Sequence, residues 1–252
     1  MTKFWPLLFN LFKKKSRSVY MVVGLQLIGA IIAVVNLLFH QTYQVAAPAG
    51  FMGTFGFLAG LILFILLARN TEQVWTSNTY RLLPTTDFKL YLANLCSTAL
   101  SFLYFLLIQV LLLGLSSLTL LNQLGDINLS ASSWTYFVSG VITLLALVLY
   151  GWALISLIHL LGRTISTWLP VVRSRFIITV FYIIVAMIVL KIMSLAGDLL
   201  EKLLVPLYSG QMATGVTASM YSLSGVCAVL IIVFSAINIF LLKNRVEPNQ
   251  TA

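Results

Sequence analysis

Long apolar runs separated by short polar stretches dominate the chain. Six of these runs cover roughly residues 20–39, 50–68, 92–121, 134–161, 176–195 and 219–242. Each is about 20 residues or longer, which is the length that a helix needs to cross ~30 Å of hydrocarbon. The pattern predicts an all-α membrane protein with six transmembrane helices. Residues 19–243 would form the membrane domain, and residues 244–252 a short cytoplasmic tail.

The polar stretches between the runs differ in the number of lysine and arginine residues that they contain. Six crossings place both termini on one side of the membrane, so the connecting loops fall into two sets. The chain has 15 lysine and arginine residues, and all but Lys191 and Lys202 belong to the set that contains the termini. Cytoplasmic loops carry such an excess. We therefore predict that both termini lie in the cytoplasm.

The N-terminal segment, residues 1–18, combines an apolar stripe with a basic end. Its apolar residues recur at helical spacing: Phe4, Leu7, Leu8, Leu11 and Phe12. Lys13, Lys14, Lys15 and Arg17 follow them. This arrangement predicts an amphipathic helix that lies on the inner leaflet, with its basic end held by anionic lipid. The alternative is a disordered basic tail.

The stretch "RNTEQVWTSNTYRLLPTTDFKL", residues 69–90, links the second and third runs. Its first half is long enough for a short helix with Val74, Trp75, Leu82 and Leu83 as apolar residues, and Pro84 would stop that helix. A loop that only turned the chain would need a handful of polar residues. We therefore interpret this link as a small hydrophobic docking surface.

The residues after Pro84 carry the start signal of the third transmembrane helix. Thr85 or Thr86 can accept hydrogen bonds from the free backbone N–H groups, and Asp87 suits the positive end of the helix dipole.

The amino-acid composition supports a membrane protein and leaves few residues that could form a catalytic or metal-binding site. The chain is 60% hydrophobic and only 8% charged, with a mean hydropathy of +1.03. All 6 acidic residues lie outside the predicted spans, so proton-coupled transport through a membrane carboxylate is disfavoured. The two histidines and two cysteines sit at different depths, and no Gly-Lys pair of a phosphate-binding loop occurs. We predict no catalytic residue, no metal site and no cofactor on this chain.

A few polar residues interrupt the predicted spans. Those that could line a substrate path are Gln26, Asn36, Gln109, Lys191 and Asn238. Hydrogen bonding between helices is the alternative role for the amides, and Lys191 could instead reach the outer headgroups. Small residues that suit helix packing are Gly24, Gly29, Gly56, Gly60 and Gly140.

Together these features resemble a known family, the type-two exporter permeases of ATP-binding-cassette (ABC) transporters. Those small subunits have an amphipathic helix before span one, six spans with both ends inside, and an irregular outer segment between spans five and six, which residues 196–219 could form. The family also has an acidic residue, an "LLP"-like turn and a basic residue before span three. Glu72, Arg81, Leu82, Leu83, Pro84 and Lys89 match that motif.

The resemblance implies a permease subunit in a plasma membrane, typically bacterial, that pairs with a separate ABC ATPase and a second permease subunit. ATP and Mg²⁺ would bind to the ATPase. The coupling contact would comprise Glu72, Val74, Trp75, Tyr80, Arg81, Leu82, Leu83 and Pro84. The cargo would be an antimicrobial peptide, a drug or a lipid-like molecule. The alternative is a membrane partner that transports nothing, such as an immunity or assembly protein.

Overall fold

The computed structural model describes residues 4–40, 46–76, 85–124, 131–168 and 216–244, with isolated positions between 180 and 202. These residues form five long helices: α1 (Phe4–Phe39), α2 (Ala47–Thr76), α3 (Asp87–Leu124), α4 (Ala131–Trp168) and α5 (Val216–Asn244). No strand occurs within the described ranges, so the predicted all-α class is confirmed.

Each of the five helices in the described part is long and apolar enough to cross a membrane. Their outer faces expose large apolar side chains such as Ile32 at 63%, Leu111 at 66% and Ile232 at 70%. A water-soluble surface rarely carries contiguous apolar patches of this kind, whereas hydrocarbon covers them without cost. The chain is therefore a multi-pass helical membrane protein. The predicted fifth run, residues 176–195, lies mostly outside the described residues.

The helices α1, α2 and α3 pack into one compact unit. Contacts between α1 and α3 advance together along both helices, from Lys15 with Asn94 to Gln26 with Gln109, so these helices run parallel. Contacts of α2 run the opposite way, because Asn70 meets Ser18 near the start of α1 whereas Met52 meets Gln26 further along. This up-down-up order is what three successive membrane crossings produce.

The helices α4 and α5 pack together in a second unit. The Thr143 hydroxyl donates a hydrogen bond to the carbonyl of Met220 over 3.1 Å, and the Asn238 amide donates to the carbonyl of Ala153, also over 3.1 Å. The rings of Tyr150 and Phe234 meet between these two levels at 6.0 Å. The contacts advance in the same direction on both helices, so α4 and α5 are parallel.

The N-terminal segment is helical, so the alternative of a disordered tail is wrong for residues 4–18. It does not form a separate helix, however, because α1 is a single 36-residue helix from Phe4 to Phe39. At 1.5 Å per residue, that length is about 54 Å, well beyond the ~30 Å hydrocarbon core. Leu7, Leu8 and Leu11 are buried within the protein. The apolar stripe is thus used, at least in part, for packing inside the chain.

The link between the second and third runs also differs from the prediction. Residues 69–76 do not start a new helix but continue α2 without a break to Thr76. Residues 77–84, which include the rest of the predicted short helix, lie outside the described residues. The predicted start of the next helix is confirmed, because α3 begins at Asp87 and the Thr86 hydroxyl accepts a hydrogen bond from the Lys89 N–H at 3.4 Å.

Candidate functional site

The predicted coupling residues divide between the end of α2 and the residues outside the described part. Glu72, Val74 and Trp75 lie on the last turns of α2, whereas Tyr80, Arg81, Leu82, Leu83 and Pro84 are outside the described ranges. Val74 is 2% exposed and Trp75 is 1% exposed. Both side chains are therefore packed inside the chain, and neither presents the exposed apolar surface that the sequence suggested. Val74 and Trp75 would therefore support a contact with a partner only indirectly, by holding the end of α2 in place.

A polar cluster lies directly beside this end of α2. Its centre is Lys15 of α1, whose side chain is only 2% exposed although its neighbours Lys13 and Lys14 are exposed. The prediction that Lys15 faces anionic lipid is therefore wrong. Its ammonium group points into α3, where four oxygen atoms of three residues surround it. We call Lys15, Thr71, Asn94, Ser97 and Thr98 the inner cluster.

The ammonium group of Lys15 donates to neutral oxygens. Its Nζ atom lies 2.8 Å from the backbone oxygen of Asn94 and 2.6 Å from the Oδ1 atom of the same residue. It is also 2.9 Å from the Oγ of Ser97 and 2.5 Å from the Oγ1 of Thr98. No carboxylate takes part among these contacts. The cluster therefore solvates a buried cation with dipoles alone.

The two hydroxyls are oriented for this task by the helix that carries them. Ser97 Oγ and Thr98 Oγ1 each donate to the backbone oxygen of Asn94, both at 2.8 Å. Because each hydroxyl uses its only proton in that bond, its lone pairs face the lysine. The backbone geometry of α3 thus preorganises the acceptors that hold Lys15.

Asn94 also connects the cluster to α2. Its Nδ2 atom donates to the backbone oxygen of Thr71 at 3.2 Å, and the Thr71 and Thr98 hydroxyls are 3.0 Å apart. Since the Thr98 proton is already engaged, Thr71 is the donor in the second contact. Asn94 is 0% exposed and Thr71 is 2% exposed. One residue therefore joins α1, α2 and α3 at the same end of the unit.

A second polar contact lies further along the same helices. Gln26 and Gln109 exchange two hydrogen bonds, with Gln26 Nε2 donating to Gln109 Oε1 at 2.8 Å and Gln109 Nε2 donating to Gln26 Oε1 at 2.6 Å. Both residues are buried, at 3% and 8% exposure. Gln26 is about three helical turns, or roughly 16 Å, from Lys15 along α1. We call Gln26, Gln109 and the adjacent Gly56 the amide pair site.

Gly56 is required for the amide pair to fit. A Cβ atom at this position would lie 2.7 Å from Gln109 Oε1 and 3.3 Å from Gln26 Nε2. A Cβ atom built at Gly29 would lie 3.5 Å from the ring of Phe55, and one built at Gly60 would lie 3.7 Å from the ring of Phe105, both ordinary contacts. Nothing lies within 4 Å of a Cβ built at Gly24 or Gly140, so the described residues give those two glycines no packing role.

We expect Gly56→Ala to destabilise the α1–α2–α3 unit by about 1–2 kcal/mol, because the new methyl group must break one of the two amide hydrogen bonds. Gly53→Ala is the matched control on the same helix, since a Cβ there meets nothing within 4 Å. Unfolding of the purified protein in mixed micelles, followed by circular dichroism, measures the difference. In a Gln109→Ala background the cost of Gly56→Ala should disappear; a cost that persists would contradict this explanation.

The remaining predicted path residues do not gather into one site within the described part. Gln26 and Gln109 satisfy each other, and Asn238, at 0% exposure, donates to α4. Asn36 is exposed near the end of α1, and Lys191 is exposed at an isolated helical position. The three amides thus join helices, which is the alternative role that the sequence left open.

The inner cluster is the feature that sequence reasoning missed. A signal for it exists in the helical spacing. Lys15 falls on the same stripe as the buried residues Leu8, Leu11, Val19, Val22 and Gln26. On α3, Asn94, Ser97, Thr98 and Ser101 repeat at the same three- and four-residue spacing, and all are buried. A charge on a buried stripe of one helix, with polar residues on a stripe of another, predicts that the two meet.

The inventory of reactive side chains offers no metal centre in the described part of the chain. No group of three or more histidine, cysteine, aspartate or glutamate residues comes together there. Cys96 and Cys227 are free thiols in different units. The described residues instead form hydrogen bonds between helices. These bonds fix the positions of the helices relative to their neighbours within a unit and can pass a displacement from one helix to the next.

Comparison with known proteins adds no further assignment. No family model, no curated protein and no solved structure matches this chain. The functional argument therefore depends on the residues and contacts described above.

Proposed function

We propose that this chain is the membrane-spanning permease subunit of an ABC exporter, driven by a separate ATPase through its cytoplasmic segment around residues 72–84. The observation that carries the proposal is the way in which the end of α2 is built. Residues 69–76 continue the membrane helix without a break, and Asn70 and Thr71 are hydrogen-bonded to Ser18 of α1 and to α3. A displacement applied just beyond Thr76 would therefore reach all three helices.

A loop that served only as a connection would not need this construction. Flexible linkers absorb a displacement, whereas packed helices with discrete hydrogen bonds move as rigid bodies between a few arrangements. In the sequence, the "LLP" motif at residues 82–84 lies between the end of α2 and the start of α3, and the basic Lys89 lies in the first turn of α3. Glu72 and Asp87, the two acidic residues in the described part, are placed on either side of this segment. The resemblance and the helix geometry thus point to the same region.

The directions of the helices support six membrane crossings with both termini in the cytoplasm. We infer that the chain returns across the bilayer between residue 168 and residue 216, because α4 and α5 run in the same direction. The apolar run 176–195 has the length for that crossing. With α1, α2 and α3 alternating in direction, the total would be six. Under this proposal the exposed Lys13, Lys14 and Arg17 would lie at the inner surface of a bacterial plasma membrane, because cytoplasmic flanks carry an excess of positive charge.

The path itself would form between two permease subunits rather than within one. The buried amides Gln26, Gln109 and Asn238 are engaged in hydrogen bonds between helices, so among the described residues these three do not line an open polar path within a unit. Closure of two ATPase subunits on ATP would rock the paired permeases and open a route outward for an amphipathic or lipid-like cargo. ATP and Mg²⁺ would bind to the ATPase partner.

Purification of the tagged chain from its native membrane tests the proposal. We expect an ABC ATPase to co-purify, and we expect its hydrolysis rate to rise when the complex is reconstituted in liposomes. A chain that binds no ATPase, or that binds one without altering its hydrolysis rate, would contradict the proposal. That outcome would favour a membrane partner without transport activity, such as an immunity or assembly protein.

A further inference from the structure

The inner cluster joins three helices through two separable sets of bonds. One set links α1 to α3, because Lys15 Nζ shares its three protons among four oxygens within hydrogen-bond distance, two of Asn94 and one each of Ser97 and Thr98. The other set links α3 to α2, through Asn94 Nδ2 with the backbone oxygen of Thr71 and through the Thr71 and Thr98 hydroxyls. Asn94 takes part in both sets through different atoms.

A buried lysine is a costly way to join two helices. Its ammonium group must give up water, and apolar contacts would bring the same helices together without that cost. The hydrogen bonds of a buried charge allow only one arrangement of the two helices. If α1 slid or rotated against α3, Lys15 would lose its oxygen partners while it remained buried. The cluster therefore favours one register of the inner ends over all others.

The inner cluster lies near the end of α2. Thr71 is only a few residues before Thr76, where the described part of α2 ends. The cluster thus lies between the predicted ATPase contact and the membrane-embedded parts of α1 and α3.

We propose that Lys15 and Asn94 are positioning residues that make the inner ends of α1, α2 and α3 move as one body. A displacement of the end of α2 is passed through Thr71 to Asn94, and from Asn94 to Lys15 and α1. The source of that displacement, a partner ATPase, rests on the proposed function. The mechanical connection among the three helices does not.

Substitutions can weaken the two sets of bonds one at a time. Asn94→Asp keeps oxygens for Lys15, and even gives it a carboxylate, but removes the amide donor to Thr71. Lys15→Met removes the donor to α3 and leaves the contacts between α2 and α3. Lys13→Met is the matched control, because Lys13 is an exposed lysine two positions away on the same helix.

Distances between spin labels in lipid nanodiscs measure the connection without any partner. Labels are placed at the exposed positions Arg17, Arg69 and Leu92, one on each helix, after Cys96 and Cys227 are replaced by alanine. We expect Asn94→Asp to broaden the distance distribution between 69 and 92 at least twofold while that between 17 and 92 stays narrow. Lys15→Met should broaden the distribution between 17 and 92. Unchanged distributions in both variants, or equal broadening in Lys13→Met, would overturn the proposal.

Coupling is measured separately with the co-purified ATPase. We expect Asn94→Asp to reduce the stimulation of ATP hydrolysis at least fivefold with an unchanged amount of bound ATPase, and Lys13→Met to keep it. If the unsubstituted chain binds no ATPase, the proposed function fails, and the spin-label distances still decide whether the cluster joins the helices.

If Lys15→Met does not accumulate in membranes, Asn94→Asp and the milder Thr71→Val provide the test instead. Full stimulation in both of these would overturn the role in coupling.

Discussion

Replacing Trp75 by alanine, or Arg81 by glutamate, is expected to abolish the stimulation of the ATPase partner that we propose, while the chain still inserts into the membrane. Trp75 is 1% exposed at the end of α2, so its removal leaves a void that frees the last turn of the helix. Arg81 belongs to the segment that resembles the coupling motif of the permease family, and Arg81→Glu reverses the charge that the proposed partner would meet there. Reconstituted complexes with equal amounts of both proteins provide the measurement.

Matched controls for these two variants lie on the predicted outer side. Trp134→Ala removes an exposed tryptophan near the start of α4. Lys191→Glu reverses an exposed positive charge. Both should keep full stimulation. Trp75→Phe, which retains most of the buried volume, should restore a large part of the coupling that Trp75→Ala loses. If Trp75→Ala and Arg81→Glu both keep full coupling with a normal amount of bound ATPase, the assignment of residues 72–84 is wrong.

Replacing Asn94 by leucine is expected to destabilise the α1–α2–α3 unit by about 2–4 kcal/mol, the largest loss of stability that we predict. The substitution removes the Oδ1 atom that accepts from Lys15 at 2.6 Å and the amide that donates to Thr71. The lysine then stays buried with fewer acceptors, and the Thr71 carbonyl loses a donor. Unfolding in mixed micelles with increasing SDS, followed by circular dichroism, reports the change.

Asn36→Leu is the corresponding control on α1. Asn36 is exposed, so the same chemical change should alter the stability by no more than about 0.5 kcal/mol. Combining Asn94→Leu with Lys15→Met should cost less than the sum of the two single changes, because the double variant no longer buries an ammonium group that lacks acceptors. Strict additivity would mean that the two residues do not act on each other.

The helices themselves could be predicted from the sequence because the membrane leaves little choice. A chain segment in hydrocarbon must satisfy its own backbone hydrogen bonds, so long apolar runs are helical. Five of the six predicted runs correspond to α1 to α5. The start of α3 was also readable, because Thr86 and Asp87 carry the chemistry of a helix N-terminus.

The helix ends were harder to predict, and the errors have a common cause. The polar residues 13–18 and 69–76 were interpreted as boundaries, yet α1 and α2 continue through them. Neither stretch contains glycine or proline, which are the residues that stop a helix. Leaving the hydrocarbon changes the solvent around a helix but does not by itself end it.

The sequence alone determined the class of the protein, the number and place of its apolar runs, and the unequal distribution of its positive charges. Each depends on composition and on the thickness of a bilayer, which act on every segment separately. Only the tertiary structure decided that Lys15 turns inward while Lys13 and Lys14 face outward, and that Asn94 binds both α1 and α2. Such choices depend on the rotation and register of one helix against its neighbours. The helical spacing marks the stripes on which these residues lie, but contacts far apart in sequence decide which stripes meet and in what register.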